Sequence, residues 1–575
     1  MSYPLYKARN EILLNFKSTL SKLSYNGDIK LEIPPLGLGD FAIPCFSFSS
    51  KEKKSPNEIA KDIVEKFGKS KWIDKIEAKG AYVNFFLDKN NLKISIFRSI
   101  FEKKENYGCL DKKKQKVIVE HTSANPNGPL HVGRARNPII GDTIFRIYKA
   151  AGYNVESQFY LDDMGKQVAI LAWGINNLDV KNIPKSDYNK PDHKTVGYYQ
   201  VGSKLLEKNK EISEQIGEIV KKSEEGDRNT IELIHKAYAP VLEGIKDSLK
   251  RINIAVDNYV PESKFIKDKS TDSVVEKLKK SKYCYEQDGA FYIDMEPFGI
   301  KGRNTNFFFL RKDGTTLYAT RDIAYHLWKA DQADILINVL GEDHKLESKQ
   351  VETALKLVEA KKIPKVIFYS FVSLPGGKMS TRRGRVVYID DLIDECVKRA
   401  YDEVKKRRGK ELSNKKMKDI AEIVGIGALR YNIIKVQPEK DMIFKWEEAI
   451  NFDGNAAPFI QYSHARACSI LSKKQDEIKN VEAILLNHES EERLVKQLAM
   501  FPIVIEEACK DCKTHSIPTY IFEVASQFNQ FYRDCPVLKE KNPDLRKARL
   551  ALVDATRIVL KNGLDILGIV APKEM

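Results

Sequence analysis

Three neighbouring residues, His131, Gly133 and Arg134, are suited to binding phosphate. They follow a loop rich in serine, asparagine and glycine, and they begin a helical pattern. A helix N-terminus offers unpaired N–H groups and a partial positive charge, and a histidine placed there can donate a hydrogen bond to a phosphate oxygen. Gly133 has no Cβ, so a flat base could approach its backbone. The alternative interpretation is an ordinary helix start.

A second segment suited to phosphate lies much further along the chain. A Gly-Gly pair precedes Lys378, and Ser380, Arg382 and Arg383 follow it. Lysine and arginine can stabilise the charge that develops on a triphosphate as pyrophosphate leaves, and a serine adds a neutral donor. The segment is not a P-loop, because Val372 occupies the position of that loop's first glycine. A solvated basic turn is the alternative interpretation.

The elements around the first segment predict how it is positioned. Residues 117–121 (VIVEH) and 154–161 (NVESQFYL) are strand-like runs on either side of a helical pattern. Strand, loop, helix and strand in this order predict the opening of a parallel α/β sheet, whose ligands bind at the carboxyl ends of the strands. Pro138 lies inside the helix that we expect to start at 131, and it predicts a kink there.

Changes of pattern along the chain predict three domains. Residues 1–112 predict an α+β unit, and residues 113–400 predict a parallel α/β domain. A Lys/Glu-rich, largely helical insertion at about 176–285 separates the two halves of that domain. Residues 401–575 have helical periodicity nearly throughout, which predicts an all-helical domain.

Composition sets the class of protein. The 575 residues carry a net charge of +16, which fits a polyanionic partner without proving one. Eight scattered cysteines in so long a chain favour a reducing compartment over a disulfide framework. Cys509, Cys512 and His515 lack a fourth ligand at metal-binding spacing, so we predict no metal site. No stretch approaches the roughly 20 apolar residues needed to span a bilayer, and we predict a soluble, cytoplasmic protein without a membrane partner.

Together, the two phosphate-binding segments resemble the paired signatures "HIGH" and "KMSKS" of class I aminoacyl-tRNA synthetases. That resemblance implies a Rossmann-like catalytic domain split by an insertion. Five stretches are similar to arginyl-tRNA synthetases in particular, and the resemblance runs from the N-terminal domain to the last residue. They are residues 120–134, 159–167, 317–322, 452–466 and 545–557.

The resemblance implies the substrates: ATP with Mg²⁺, L-arginine and an arginine-specific tRNA. It implies ligation through an arginyl-adenylate, with no covalent enzyme intermediate, by an enzyme that we expect to be a monomer. The residues that match arginine-binding positions are Ser123, Asn125, Gln167, Glu262, Tyr318 and Asp322. The residues that match ATP-binding or catalytic positions are His131, Gly133, Arg134, His344, Lys378 and Ser380.

The C-terminal domain resembles the family's anticodon-binding domain. Splayed RNA bases are bound by stacking and by hydrogen bonds to their edges, so clustered aromatic and amide side chains are candidates. The alternative for the aromatic residues is packing in the helical core. The predicted tRNA contacts are Gln461, Tyr462, Arg466, Asn529, Gln530 and Tyr532.

Each of these assignments has a plainer alternative. Tyr318 and Asp322 are spaced i and i+4, so they could be helix packing and a surface ion pair, and Glu262 could simply be exposed. Thr381 stands where many class I enzymes have a second lysine, which leaves that role open, with Arg382 or Arg383 as candidates. Two other functions therefore stay open: another class I synthetase, and a tRNA-binding protein without catalysis.

Overall fold

The computed structural model describes most of the chain. The second phosphate-binding segment, including Lys378, Ser380 and Thr381, lies outside the described residues. The described ranges are 3–35, 37–52, 54–301, 305–373, 387–474 and 481–575.

The N-terminal unit is a three-stranded antiparallel sheet, in the order β1-β3-β2, covered by helices. The sequence predicts Ser55 as the N-cap of its third helix and Pro56 in the first turn, and both are confirmed. Glu58 completes a capping box there. The elements are α1 (Pro4–Leu23), β1 (Phe41–Pro44), α2 (Phe46–Glu52), α3 (Pro56–Lys66), β2 (Ile73–Lys79), β3 (Tyr82–Leu87) and α4 (Lys89–Lys103).

The central domain contains a five-stranded parallel sheet with helices packed on it, as the strand pattern predicts. Its β-branched strands are almost wholly buried. A smaller antiparallel sheet follows the insertion. The elements are β4 (Lys116–Glu120), α5 (Arg136–Ala150), β5 (Asn154–Leu161), α6 (Lys166–Asn177), α7 (Pro191–Leu206), α8 (Lys210–Glu224), α9 (Arg228–Arg251), β6 (Asn258–Pro261), α10 (Ser263–Lys267), α11 (Ser270–Lys279), β7 (Cys284–Gln287), β8 (Ala290–Asp294), β9 (Asn306–Leu310), α12 (Tyr318–Gln332), β10 (Ile335–Gly341), α13 (Lys345–Leu357), β11 (Lys365–Tyr369) and β12 (Val372–Ser373).

The order of the parallel sheet is β11-β10-β4-β5-β6. Strand β6 belongs to this sheet although it lies within the range 176–285 that was predicted as an insertion. Within that range, the helices α7, α8 and α9 precede β6, and α10 and α11 follow it. Because all five strands run parallel, their carboxyl ends meet at one edge, where Glu120 and Gly341 end β4 and β10.

The helix after the first signature begins later than predicted. Val132–Arg134 forms a single 3-10 turn, and α5 starts at Arg136. Pro138 therefore occupies the first turn of α5, where a missing N–H breaks no intrahelical hydrogen bond. The predicted kink is wrong for that reason.

The C-terminal part is helical, as predicted, and the predicted boundary at residue 400 falls inside its first helix. No helix in the described part of the chain combines the length and the apolar character needed to cross a bilayer. The elements are α14 (Ile389–Arg408), α15 (Asn414–Ile434), β13 (Met442–Ile443), α16 (Trp446–Ala449), α17 (Ala457–Ser472), α18 (Glu489–Ala499), α19 (Phe501–Asp511), α20 (Ser516–Asp534) and α21 (Pro543–Ile566).

Candidate active site

A cavity of about 640 Å³ opens at the carboxyl edge of the parallel sheet. Its walls come from the ends of β4, β5 and β10, from the start of α12 and from the residue after β6. This edge is where parallel sheets bind ligands. The cavity brings together eight of the residues singled out from the sequence: Ser123, Asn125, Arg134, Gln167, Glu262, Tyr318, Asp322 and His344.

Glu262 is a buried carboxylate in the cavity wall, with 3% of its side chain exposed. Its Oε1 lies 2.9 Å from Nε of Arg321, a guanidinium that Glu224 of α8 holds from the other side at 3.4 Å. The Oε2 atom accepts no hydrogen bond from an N–H or hydroxyl group of the described residues. A buried carboxylate oxygen without a donor is rare in proteins, and it marks a position where a polar ligand would bind.

Asp162 adds a second carboxyl group to the same wall, directly after β5. Burial, and then the charge of Glu262, raise the pKa of Asp162 well above its ordinary value. Two neighbouring carboxyl groups, one buried and one partly buried, cannot both ionise unless a cation compensates them. A proton on Asp162 would satisfy the pair, and so would the guanidinium group of a ligand.

Neighbouring side chains hold this acidic pair in place. The Tyr160 ring stacks on Tyr325 at 4.4 Å between centroids, and its hydroxyl donates to Glu262 Oε1 at 3.3 Å. Asp163 points away from the cavity and accepts hydrogen bonds from the backbone N–H and the hydroxyl of Ser263 at 2.8 and 2.7 Å. Asp163 thereby ties the end of β5 to the residue that follows Glu262.

Asp322 lies one turn after Tyr318 in α12, as the spacing predicts. Its carboxylate is 3.1 Å from Nδ1 of His326, and 31% of its side chain is exposed. Burial by itself would raise the pKa of Asp322, but His326, then Lys329 and His344, bring it below its ordinary value. The cavity therefore contains a charged carboxylate at this position at neutral pH.

The loop after β4 is held in an uncommon conformation. Thr122 and Ser123 both have positive φ, at 71° and 35°, which is rare for residues other than glycine. The N–H of Thr122 donates to Asn137 Oδ1 at 2.7 Å, and the Ser123 hydroxyl donates to Glu120 Oε1 at 3.3 Å. The Ser123 hydroxyl also accepts from the N–H of Tyr160 at 3.1 Å. These contacts fix the loop that carries Ser123 to the floor of the cavity.

Gln167 and Tyr318 lie nearer the mouth of the cavity. Gln167 is exposed, and its Oε1 accepts from Nδ2 of Asn127 at 2.6 Å. Tyr318 is 59% exposed, so its ring is not core packing. Both residues also line a neighbouring cavity of about 540 Å³ that reaches the insertion helix α8.

The first signature lies beside the cavity with its histidine in one defined protonation state. His131 Nδ1 accepts the N–H of Gly133 at 3.0 Å, so a neutral ring carries its proton on Nε2. Burial, and next the charge of Arg134, lower the pKa of His131. At neutral pH, His131 is therefore a neutral hydrogen-bond donor through Nε2.

The residues just after the second segment pair with the first signature. The N–H of Val132 donates to the carbonyl of Val387 at 3.0 Å, and the N–H of Ile389 donates to the carbonyl of Leu130 at 2.8 Å. His131 and Tyr388 thus form an antiparallel bridge. The C-terminal flank of the second segment is fixed against the first signature by these hydrogen bonds.

Arg134 and His344 bring positive charge to the cavity. Nη2 of Arg134 is 3.5 Å from Asp343, and His344 Nδ1 lies 2.6 Å from Glu347. The hydrogen bond to Glu347 raises the pKa of His344, against the effect of burial and with help from Asp343. His344 therefore gains a proton more readily than an isolated histidine.

The predicted tRNA contacts divide into surface and core residues. Tyr462 and Tyr532 are 42% and 38% exposed. The Arg466 guanidinium lies 4.7 and 5.8 Å from the centroids of these two rings and donates to Asn529 Oδ1 at 2.8 Å. The prediction for Gln461 is wrong: it is fully buried, and its amide donates to main-chain carbonyls.

Gln530 is exposed, and its amide donates to Asp534 on the same helix. A cavity of about 360 Å³ adjoins the exposed Tyr462 ring. It is lined by Val404, Arg407, Arg408, Phe452, Asp453, Tyr462, Arg466 and Met575.

Sequence reasoning missed several residues of the cavity. Asp162, Tyr160 and Arg321 all lie within stretches that resemble arginyl-tRNA synthetases, but no role was assigned to them. Alternation along β5 could have indicated Tyr160, since its ends were predicted correctly. The role of Arg321 depends on the distant Glu224, which no local pattern indicates.

One group of side chains in the described part of the chain has metal-ligand spacing: Asp192, His193 and Asp390. The ammonium of Lys190 lies 3.0 Å from both carboxylate oxygens of Asp390. That ammonium supplies the positive charge that the carboxylates need, so the group is an ion-pair cluster. It joins the insertion to the start of α14.

Comparison with known proteins agrees with this geometry. The family described as "tRNA synthetases class I (R), catalytic domain" matches residues 96–446. The "Arginyl tRNA synthetase N terminal domain" matches residues 10–87, and the "DALR anticodon binding domain" matches residues 460–575.

Individual relatives match over nearly the whole chain. The arginine–tRNA ligase of Methanocella arvoryzae is 48% identical over 530 residues, which cover 92% of each chain. That of Methanocaldococcus jannaschii is 40% identical and covers 99% of this chain and all of its own. The Thermus thermophilus arginyl-tRNA synthetase structure has a TM-score of 0.83 at 26% identity, covering 99% of this chain and 100% of its own. The chain therefore belongs to the arginyl-tRNA synthetase family.

Proposed function

We propose that this protein is an arginine–tRNA ligase that works through an arginyl-adenylate. A carboxylate oxygen of arginine attacks the α-phosphorus of ATP, and pyrophosphate leaves. The 2′-hydroxyl of the terminal adenosine of the tRNA then attacks the arginyl carbonyl carbon, and AMP leaves. The observation that carries the proposal is that Asp162, Glu262 and Asp322 all line one cavity at the carboxyl edge of the sheet.

These carboxyl groups suit a guanidinium group better than an ammonium group. A guanidinium has five N–H donors in one plane and can pair with two carboxylates at once. The lone Oε2 of Glu262 and the charged Asp322 would accept such donors. A lysine side chain would leave part of this buried acidic set without donors, which supports discrimination without a separate editing site.

The nucleotide would bind beside the first signature. The neutral His131 would donate through Nε2 to a phosphate oxygen, and Arg134 and His344 would add positive charge. Lys378 and Ser380, outside the described residues, keep their predicted roles at the triphosphate. Mg²⁺ supplies charge neutralisation when it enters bound to that triphosphate, and such ions need only one or two protein carboxylates.

The tRNA would contact the exposed aromatic surface of the C-terminal helices. Tyr462 and Tyr532 offer two ring faces with the Arg466 guanidinium beside both of them. Bases of single-stranded RNA stack on such rings and on guanidinium planes. Asn529 orients Arg466, so it would act through Arg466 and not by direct contact. The monomeric state and the cytoplasmic location stay predictions.

ATP–pyrophosphate exchange tests the reaction and its substrate together. The assay measures exchange with arginine, lysine, glutamate and cysteine, each in the presence of tRNA. We expect exchange with arginine alone, followed by transfer of radiolabelled arginine to tRNA. Exchange with another amino acid but not with arginine would support a different class I synthetase. Binding of tRNA without any exchange would support the catalytically silent alternative.

Two substitutions separate the proposed roles. Asp322→Ala should raise the KM for arginine strongly, because it removes a charged acceptor for the guanidinium group. Lys378→Ala should lower kcat with less effect on that KM, since its charge is needed as pyrophosphate leaves. The reverse pattern would mean that the two roles are wrongly assigned.

A further inference from the structure

We propose that Asn338 is a positioning residue for arginine recognition. It fixes the proton of His326 on the ring nitrogen that faces Asp322. The inference rests on the proposed function, in which Asp322 binds the guanidinium group. It concerns a buried chain of four side chains beneath the cavity, here called the relay: Glu120, Lys329, Asn338 and His326.

The relay begins at a lysine without exposed side-chain surface. Lys329 Nζ donates to Glu120 Oε2 at 2.7 Å and to Asn338 Oδ1 at 2.8 Å. Glu120 and Asn338 are register partners on the adjacent parallel strands β4 and β10. The ammonium from α12 therefore binds both strands at the same level of the sheet.

The ammonium of Lys329 decides which way the Asn338 amide points. An ammonium only donates hydrogen bonds, so the atom of Asn338 that faces it must be the carbonyl oxygen. The amide nitrogen then points the other way, and Nδ2 lies 2.8 Å from Nε2 of His326. Asn338 is 3% exposed, so water does not offer an alternative orientation.

The Asn338 amide in turn decides the tautomer of His326. The amide nitrogen donates, so Nε2 of His326 must accept, and a neutral ring then carries its proton on Nδ1. Nδ1 lies 2.8 Å from the main-chain carbonyl of Asp322 and 3.1 Å from its carboxylate. The histidine therefore donates toward Asp322 through Nδ1.

This arrangement matters because Asp322 has to keep its charge for the ligand. A doubly protonated His326 would form an ion pair with Asp322 and compete with the guanidinium group. A ring with its proton on Nε2 would place a lone pair against the Asp322 oxygens. The titratable groups that interact with Asp322 or His326 are Tyr318, Tyr325 and Lys329 on the same helix, Tyr160 of β5, His344 at the cavity edge and Glu347 of α13, and Glu120 acts through Lys329.

Asn338→Asp tests the relay, because the new carboxylate can only accept a hydrogen bond from His326 Nε2 and should hold the ring doubly protonated. The measurement is the KM for arginine in pyrophosphate exchange between pH 6.5 and 9. The same series with the unsubstituted protein corrects for titration of the substrate. We expect the ratio of KM at low pH to KM at high pH to rise about tenfold, with little change in kcat. An unchanged ratio overturns the proposal.

The double variant His326→Gln/Asn338→Asp is the matched control. It keeps the new carboxylate but has no imidazole, so the added pH dependence of the KM for arginine should disappear. In the single variant His326→Gln, that KM should likewise show no added pH dependence. Added pH dependence that persists in the double variant overturns the proposal. Failure of the proposed function is distinguishable, because the unsubstituted protein would then show no arginine-dependent exchange at all.

Nitrogen-15 spectra of histidine-labelled, unsubstituted protein test the relay without any variant at position 338 and without substrate. The His326 signals are identified by their loss in His326→Gln. We expect a protonated Nδ1 and a bare Nε2 at neutral pH. A proton on Nε2, alone or together with one on Nδ1, overturns the proposal.

Discussion

Replacing Lys329 by methionine should destabilise the catalytic domain strongly, and the structure lets the size of the effect be worked out. Lys329 has no exposed side-chain surface, and its ammonium is the partner of Glu120 Oε2, in a side chain that is only 7% exposed. Removing one partner of a buried ion pair costs about 3–5 kcal/mol, because the other charge stays buried without compensation. The lost contact of the ammonium with the Tyr325 ring, 4.3 Å from its centroid, adds to this.

The companion variant Glu120→Gln should rescue part of the loss. In Lys329→Met/Glu120→Gln no unpaired charge remains, and the cost falls to the lost hydrogen bonds, about 1 kcal/mol each. Glu120→Gln alone would leave the ammonium of Lys329 without its counter-charge, so the two substitutions should couple by at least about 3 kcal/mol in a double-mutant cycle.

Thermal unfolding followed at the catalytic domain measures this. At about 2–3 °C per kcal/mol, Lys329→Met should lower the midpoint by roughly 6–15 °C and the double variant by clearly less. Lys361→Met is the control, since Lys361 pairs with Asp331 at the surface with 75% of its side chain exposed, and no change in midpoint is expected. A double variant that loses as much stability as the two single variants added together would refute the assigned pairing.

Three further results follow from the site and its surroundings. Burial lowers the pKa of His121 to about 4, so the unfolded chain takes up the proton first. Stability should therefore fall by up to about 3 kcal/mol as the pH drops from 6.5 to 4, and urea titrations of His121→Gln should show a flatter acid limb. Glu262→Gln should raise the KM for arginine at least tenfold in pyrophosphate exchange, because it removes a buried carboxylate from the cavity that we propose binds the guanidinium group. Tyr462→Ala should raise the KM for tRNA by about tenfold while leaving the KM for arginine unchanged, in line with the loss of one stacking surface; an equal rise in both would argue against a separate RNA surface.

Local patterns were sufficient to predict much of the fold. The strand run at residues 117–121 was recognisable because buried parallel strands are continuous and β-branched. The cap at Ser55 was recognisable because capping depends on residues only three positions apart. Strand β6 was assigned to the insertion because it has only four residues and lies among helices. Its pairing with β5 joins residues about 100 positions apart, which no local pattern indicates.

Side-chain environment was predicted less well than element type. Gln461 and Tyr462 are adjacent in α17, yet the first is fully buried and the second is 42% exposed. An amide beside an aromatic residue suggests an RNA surface, but a helix turns each successive residue by about 100°, so neighbours face different surroundings. The main-chain carbonyls that accept from Gln461, those of Ile423 and Val570, are supplied by distant segments.

The sequence predicts which residues of α12 share a face of the helix, but it does not predict what that face contacts. Tyr318, Asp322, His326 and Lys329 follow at intervals of four, four and three, so they share one face of α12, and the pattern alone predicts a polar stripe. Such a stripe usually faces solvent. Here it cannot, because β4 ends in the carboxylate of Glu120 at the centre of a buried sheet, and a buried charge requires a partner of opposite sign. A charge that ends an otherwise apolar central strand is therefore a reason to place the cation of a neighbouring helix over the sheet. In this chain that reasoning leads from Glu120 through Lys329, Asn338 and His326 to Asp322, which lines the cavity.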